Sequence, residues 1–384
     1  MKENFDVIIV GAGSVGVPTA LALAEQKVSV LIIDDNASPG QGENKKAIGG
    51  IRATHSDQGK IKIGLRSLEI FSTWQDKYGD DIGWMQSGYS FPAYNKVDEK
   101  MLRDLMKIQK SYGLNIDWLS PEEYQKLVPG INMKNLRGST YSPNDGSASP
   151  LMSINAFYFK SREWGAVYRF NEKVVDLKME NNKITEVVTN KGSYGCGTFV
   201  NAAGSYASQI GEMAGLEIPV TPDYHEGGIT EPVKRFFKPM VVDMRPADQS
   251  KNYYFYQNSE GQVIFCITPE PAIIDGSLES SSIFLPKVSK RMIGLYPRLG
   301  RLKVRRTWRG RYPMTPDGFP IVGRVKTISN YINNVGMCGQ GFMLGPGLGE
   351  LVARIITDSL DEEDKETLAS FDLYRDFSDS EKFK

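Results

Sequence analysis

Gly11-Ala12-Gly13-Ser14-Val15-Gly16 is a G-x-G-x-x-G run, and its flanks restrict the fold more than any other stretch of the chain. Phe5 to Val10 (FDVIIV) precedes it as a short, apolar, β-branched run that reads as a buried parallel strand. An alanine- and leucine-rich helix is expected to follow as far as about Gln26, with Pro18 slightly unfavourable in its early part. Val28 to Ile33 reads as a second strand that ends at Asp34. Each residue type has a physical reason. Gly11 permits the tight turn, Gly13 lets backbone approach a pyrophosphate, and Gly16 lets helix and strand pack closely. The pyrophosphate sits on the helix N-terminus, where free amides and the dipole favour anions. Asp34, 18 residues beyond Gly16, can accept bonds from a ribose 2′-OH. Alone the glycine pattern is weak, but in this strand–turn–helix–strand–acid setting it specifies a dinucleotide. The acid disfavours a 2′-phosphate, which leaves NAD or FAD rather than NADP.

The same region mimics another signal. Val7 to Ala24 is an 18-residue run without a charge, and Ala22-Leu23-Ala24 resembles a cleavage site. Gly11, Gly13, Gly16 and Pro18 interrupt the run, and Glu3 and Asp6 offset Lys2, so there is no basic leader. The expectation is a cytoplasmic chain with neither a secretion signal nor a transmembrane segment. Lys plus Arg and Asp plus Glu are both 46, which argues against a nucleic-acid binder, since that function needs a basic face. Cys196, Cys266 and Cys338 lie about 70 residues apart, without metal, redox or cluster spacing. His55 and His225 are the only histidines. A multi-His metal site is excluded and a His-based triad is disfavoured. The 384 residues suggest two or three domains and a large core.

Further blocks decide between the two dinucleotides. Gly40-Gln41-Gly42 through Gly49-Gly50-Ile51-Arg52 is a second glycine-rich stretch. Tyr141-Ser142-Pro143-Asn144-Asp145-Gly146, with Pro150, reads as a turn leading into a helix. Val200-Asn201-Ala202-Ala203-Gly204 reads as a strand and turn. Trp308 to Gly323 (WRGRYPMTPDGFPIVG) is followed by Gly339-Gln340-Gly341-Phe342 and Gly345-Pro346-Gly347. In this order, over nearly the whole chain, these blocks resemble the FAD-dependent amine oxidoreductases of the D-amino-acid oxidase, glycine oxidase and sarcosine oxidase family. The nearest likeness is to the β subunits of heteromeric sarcosine oxidases and to archaeal L-proline dehydrogenases.

The resemblance implies an α/β fold, α+β overall. A discontinuous Rossmann-like FAD-binding domain would take residues 1–85, 146–224 and 304–384. A substrate domain with a mainly antiparallel sheet would take 86–145 and 225–303. Local signals agree. Ser120-Pro121-Glu122-Glu123 is a capping box with proline at the first helical position. Tyr253 to Tyr256 and Val263 to Ile267 flank Ser259-Glu260-Gly261 as a hairpin. The polar DEEDKE stretch after Leu360 reads as a solvated end. There is no internal repeat or low-complexity linker.

The implied function is oxidation of the C–N bond of an amino acid or secondary amine, such as proline or sarcosine, by hydride transfer to N5 of a noncovalent FAD. Two alternatives stay open: a 2-hydroxy acid or glycerol 3-phosphate dehydrogenase, and a non-catalytic FAD subunit of a complex. The implied cofactor residues are Gly11, Gly13, Ser14, Val15, Gly16 and Asp34, then Gly42, Gly49, Gly50 and Arg52. Val174 would meet the adenine through its backbone, and Ala203 and Gly204 return to the FAD. Gly339, Gln340, Gly341, Phe342 and Met343 would lie against the flavin ring. Gly345-Pro346-Gly347 is expected to open an apolar helix, Leu348 to Ile356, with amides facing the negative charge near flavin N1. Arg52 is the candidate for a substrate carboxylate or the flavin, since guanidinium can hold a carboxylate in two parallel bonds. Tyr254, Tyr256 and Tyr312 are candidate pocket residues, with aromatic core as the plain alternative. Strand alternation puts Tyr254 and Tyr256 on one face and Tyr253 on the other. His225 is a candidate for contact with substrate or with the amine's proton. His55 has no stronger case than a structural one.

Three departures from the family pattern matter. Gly310 stands near the place where monomeric sarcosine oxidases attach FAD through cysteine, so that bond is absent. Met343 stands where they carry a carboxylate-binding lysine. Their oxygen-activating lysine has no counterpart, because Asn252 to Pro286 holds no Lys or Arg. The expectation is a dehydrogenase that passes electrons to a partner subunit carrying NAD or iron–sulfur sites. Some heteromeric relatives link a second flavin, FMN, through a histidine after the Tyr141–Gly146 turn. No histidine lies between His55 and His225, which leaves noncovalent FMN at a subunit interface open.

Overall fold

Strand Asn4–Val10 runs parallel to Val30–Ile33 on one side and to Ser193–Asn201 on the other. Its register follows from burial: Val7, Ile8 and Ile9 are fully enclosed, as is all of Val30–Ile33 apart from a trace at Val30. A strand covered on both faces needs such a continuous apolar run. The structure is a computed structural model that describes residues 3–378. Lys2 and the last six positions of the expected FAD-binding stretch, 379–384, lie outside the described residues.

The first sheet has eight strands. Val167–Arg169, Val30–Ile33, Asn4–Val10, Ser193–Asn201 and Tyr331–Val335 make its parallel part, with Ile321–Arg324 antiparallel at one edge. The hairpin Val174–Glu180/Lys183–Thr189 joins it through Ser193–Asn201. Helices Gly16–Glu25, Gln58–Tyr78, Pro150–Glu163 and Gly341–Ile356 supply much of the core on one face. The second sheet also has eight strands. Its order is Val304–Met314, Thr221–Pro232, Gln262–Pro269, Ser250–Gln257, Met240–Asp243, Tyr89–Ala93, Gly138–Ser142 and Asp117–Leu119. All its neighbours are antiparallel except Met240–Asp243 against Tyr89–Ala93. Helices Pro121–Leu127 and Phe284–Leu295 cover one face over Phe255, Phe265 and Tyr296. The capping box at Ser120 forms, its hydroxyl accepting from the Glu123 amide at 3.2 Å and Glu123 accepting from the Ser120 amide at 2.8 Å.

The first helix ends at Glu25 with Gln26 as its cap, as expected. Three sequence expectations change. The second strand starts at Val30 rather than Val28, after Lys27 turns left-handed with φ 63°. The DEEDKE stretch is not merely a solvated end. Asp361 caps a helix, Glu362–Phe371, whose Phe371 is fully buried and whose Asp364 takes a forked bond from Arg354 at 2.6 and 2.7 Å.

The third change is the largest. Gly345-Pro346-Gly347 does not open a helix; it lies within one that starts at Gly341. The glycines serve close packing instead. A Cβ on Gly345 would sit 2.0 Å from the Ser14 carbonyl oxygen, one on Gly347 would sit 2.6 Å from that of Ile63, and one on Gly349 would sit 2.6 Å from the Pro18 carbonyl carbon. The Ser67 hydroxyl accepts from the Gly347 amide at 2.9 Å, so the proline leaves no donor stranded there. Among the described residues no helix is long and apolar enough to cross a membrane.

Candidate functional site

The glycine turn between the first strand and helix forms one end of a cavity of about 710 Å³ that extends to the antiparallel sheet. Gly11 has φ 108°, and a Cβ there would lie 2.3 Å from the Ala202 carbonyl oxygen, so only glycine fits. A Cβ on Gly13 would meet nothing within 4 Å, and the same holds at Gly42 and Gly204. These three backbones border open space, as a cradle for a phosphate-bearing ligand requires. Asp34 ties the turn together. One of its oxygens accepts from the Ala12 amide at 2.7 Å, and the other accepts from the Asn36 amide at 2.8 Å. Ser14 donates to Asn44 at 3.0 Å and so joins the turn to the second glycine-rich stretch.

Gly11, Gly13, Ser14, Val15 and Asp34 line the cavity, as do Gly42, Gly49 and Gly50. Val174, Ala203 and Gly204 line it too, together with Gly339, Gln340, Gly341, Phe342 and Met343. Gly16 does not. A Cβ on it would lie 1.9 Å from the Gly11 carbonyl oxygen, so its part is close packing behind the turn.

Arg52 lines the same cavity and is 7% exposed, which excludes a surface arginine. Its Nη1 donates to the Thr54 carbonyl and stands 3.3 Å from His55 Nδ1, and its guanidinium lies 5.9 Å from the Phe91 ring centre. The His55 ring also hydrogen-bonds to the Arg52 backbone. Burial, then the charges of Arg52 and Lys60, hold the His55 pKa well below its ordinary value. Asp145, from the Tyr141–Gly146 turn, accepts from the Ala53 amide at 3.1 Å. Burial pushes its carboxyl up to about 7, against the opposing pull of that amide and of Arg52.

The antiparallel sheet contributes a polar aromatic wall. Tyr254 and Tyr312 share a hydroxyl contact at 3.0 Å, and the Tyr312 ring stacks on His225 with centroids 3.8 Å apart. His225 Nε2 lies 3.0 Å from Asp223 Oδ2. Burial pushes the Asp223 carboxyl up, but His225 and the Ile273 and Tyr224 amides outweigh it and hold the group below its usual range. Tyr256 is a correction. It shares a face with Tyr254 but does not line the cavity; its hydroxyl donates to the Ile48 carbonyl and backs the Gly49–Gly50 stretch. Tyr253 takes the other face and donates to Asp243 at 2.8 Å.

Several wall residues escaped the sequence reading. Glu43, Lys46, Trp308 and Arg311 line the cavity together. Trp308 Nε1 donates to the Lys46 carbonyl at 2.8 Å, and Glu43 accepts from the Arg311 amide at 2.7 Å. The WRGRY block carried the signal for Trp308, but its partners lie more than 260 residues earlier. Lys251 and Cys266 also line the cavity, Cys266 with its sulfur 4.0 Å from the Tyr312 hydroxyl. Among the described residues no group of His, Cys, Asp or Glu could hold a metal.

A dinucleotide that ends in an apolar ring system fits these residues. The open glycines suit the diphosphate, Asp34 suits a ribose, and Met343 and Phe342 provide an apolar wall next to a polar turn. Comparison with known proteins agrees. The family profile described as "DAO: FAD dependent oxidoreductase" matches residues 6–355. The mitochondrial sarcosine dehydrogenase of Mus musculus is 24% identical over 400 residues, which cover 98% of this chain and 42% of that protein. The chain therefore spans about two-fifths of the length of that relative. Sarcosine oxidase subunit beta of an Arthrobacter species is 25% identical over 367 residues, covering 93% of this chain and 88% of that one. The crystal structure of L-proline dehydrogenase from P. horikoshii superimposes with a TM-score of 0.91 at 31% identity, covering 98% of each chain.

Proposed function

The chain belongs to the family of FAD-dependent oxidoreductases, and from that membership we propose that it oxidises the C–N bond of a small carboxylated amine, an amino acid or secondary amine of the proline or sarcosine kind. One observation carries the reading. A single cavity joins the phosphate-cradling turn to the buried guanidinium of Arg52. Guanidinium in such a pocket suits a carboxylate, which it can grip in two parallel bonds.

Each wall residue then has a part. Arg52 binds the carboxylate and fixes the substrate's orientation. Tyr254 and Tyr312 border the amine, and their wall excludes water. His225, steadied by Asp223, takes the proton the amine gives up. FAD, when bound, would supply the acceptor for the hydride equivalent lost from the carbon that bears nitrogen. Gly339 to Met343 and the start of the helix Gly341–Ile356 would hold the flavin ring. The FAD is held noncovalently. The cofactor domain is assembled from residues 1–85, 146–224 and 304–384, and the substrate domain from 86–145 and 225–303.

The reaction is a dehydrogenase's rather than an oxidase's, a reading supported by the absence of Lys and Arg from Asn252 to Pro286. A partner subunit would take the electrons onward, and a noncovalent FMN at that interface would supply the route. The Arthrobacter relative is by its name one subunit of a larger enzyme, which supports a partner. The three cysteines are free and buried, in keeping with a reducing, cytoplasmic setting.

The test is anaerobic titration of the purified flavoprotein with proline, sarcosine, glycine, D-amino acids, 2-hydroxy acids and glycerol 3-phosphate in parallel, followed by the flavin's visible band. Bleaching by an amine, with slow recovery in air, is expected. Bleaching by hydroxy acids or glycerol 3-phosphate alone would move the protein to a different substrate class. Bleaching by none, even with a partner present, would make it a cofactor-holding subunit.

A further inference from the structure

The turn between strand Tyr331–Val335 and helix Gly341–Ile356 faces the cavity through Met337, Cys338 and Gly339. Cys338 adopts a left-handed backbone, φ 49°. A side chain rarely persists there unless its surroundings over-determine it. The Cys338 amide donates to the Pro313 carbonyl at 3.1 Å, and its sulfur accepts from the Thr315 amide at 3.4 Å. The two backbones leave no slack between them. A Cβ on Gly336 would lie 2.5 Å from the Thr315 methyl, and one on Gly339 would lie 2.2 Å from the Tyr312 ring. Any shift of residues 312–315 is therefore passed on to the cavity turn.

Residues 315–319 are in turn gripped from outside the cavity. Thr315 Oγ1 lies 3.1 Å from Asp317 Oδ1 and accepts from the Gly318 amide at 3.1 Å. Lys60 donates to the Gly318 carbonyl at 2.9 Å. Arg375 closes the other side. Its Nε donates to Asp317 Oδ2 at 2.7 Å, and its Nη2 donates to Asp317 Oδ1 and to the Phe319 carbonyl, both at 3.0 Å. The two side chains are 10% and 2% exposed, so water competes little for this fork. Arg375 lies beyond residue 355, where the family match ends.

We infer that Arg375 is a positioning residue for the cofactor: through Asp317 and Thr315 it sets the Met337–Gly339 turn against which the flavin ring rests. The inference rests on the reading of the cavity as the FAD site. A planar fork meets the two carboxylate oxygens from two nitrogens while also reaching a carbonyl, a geometry that lysine's single nitrogen does not reproduce.

The experiment uses the full chain, stripped of FAD and titrated with it, with three readouts: the FAD Kd, the shape of the bound flavin's visible band, and the Tm of the apoprotein. Arg375→Ala is compared with Arg375→Lys and with Arg354→Ala. Arg354 makes an equally forked bond, to Asp364, at 2.6 and 2.7 Å, but touches no cavity turn. Arg375→Ala is expected to weaken FAD binding about tenfold or more and to alter the band, with Arg375→Lys in between. Arg354→Ala is expected to lower Tm with Kd and band unchanged. Should Arg375→Ala leave Asp317 too poorly paired to fold, the double variant Arg375→Met with Asp317→Asn removes both charges and is expected to show the same loss. Wild-type Kd and band in the Arg375 variants, or an equal loss in Arg354→Ala, would overturn the inference. Wild-type protein that takes up no FAD would overturn the cofactor reading beneath it.

Discussion

Nη1 of Arg52 stands 3.3 Å from Nδ1 of His55, and both side chains are buried. The contact sets one edge of the guanidinium against the imidazole. Burial and the nearby cations keep His55 uncharged, so it does not repel its partner at working pH. This gives the otherwise unremarked histidine a job. Arg52→Ala is expected to raise KM for a carboxylated amine about a hundredfold, as the loss of a charge-assisted fork implies. His55→Ala is expected to raise it about tenfold with kcat nearly unchanged, since only the orientation of Arg52 is lost. Steady-state kinetics with an artificial acceptor check both, and an unchanged KM in Arg52→Ala would remove it from the carboxylate site.

Asp145 links this cluster to pH. Its carboxyl, raised by burial from an ordinary 3.8 to about 7, holds a proton in the folded protein that the unfolded chain releases near pH 4. Between those values the folded state binds more protons, so stability falls as pH rises. The contribution is full below the ordinary value and gone above about pH 7. Asp145→Asn keeps a neutral group in place and is expected to flatten this dependence. Denaturant melts at pH 5 and pH 8 should differ by about 2 kcal/mol more in the wild type than in the variant.

Gly345→Ala tests the packing of the last long helix. The new methyl would sit 2.0 Å from the Ser14 carbonyl oxygen, backbone of the phosphate turn that cannot rotate away. Loss of at least 2 kcal/mol of stability is expected, together with weakened FAD binding. Thermal melts and FAD titration of the same preparation would show it, and a variant as stable as wild type would mean the helix can slide.

The two tyrosines of one strand face should separate. Tyr256 supports the Ile48 carbonyl, so Tyr256→Phe is expected to cost about 1 kcal/mol of stability and leave the substrate KM alone. Tyr254 borders the open cavity and meets Tyr312, so Tyr254→Phe is expected to change kcat or KM with little effect on Tm. The reverse pattern would exchange their roles.

The residues that the sequence made legible are those whose partners are near in the chain or whose chemistry is narrow. Gly11 and Gly13 answer to the turn they sit in, and Asp34 answers to an amide on that turn. Arg52 is legible from its place after Gly49-Gly50-Ile51, which the family resemblance marks. Gly345 and Gly347 were misread as a helix start because their reason lies at Ser14 and Ile63, hundreds of residues away. Tyr256 shows the same limit: alternation told which face it takes, but the carbonyl at Ile48 decided what it does there. Lys46 and Glu43 reach the wall through strand Val304–Met314, a pairing no local pattern announces.

The parallel sheet described above draws adjacent strands from Asn4–Val10, Ser193–Asn201 and Tyr331–Val335. A nascent chain leaving the ribosome therefore cannot seat the nucleotide when its glycine turn emerges. Most of the polypeptide must be made before the outer parallel strand docks and the following helix lies down. Until then the face of Val7 and Ile9 that meets Leu344 and Leu348 stays open, so capture of the cofactor is a late step in biosynthesis.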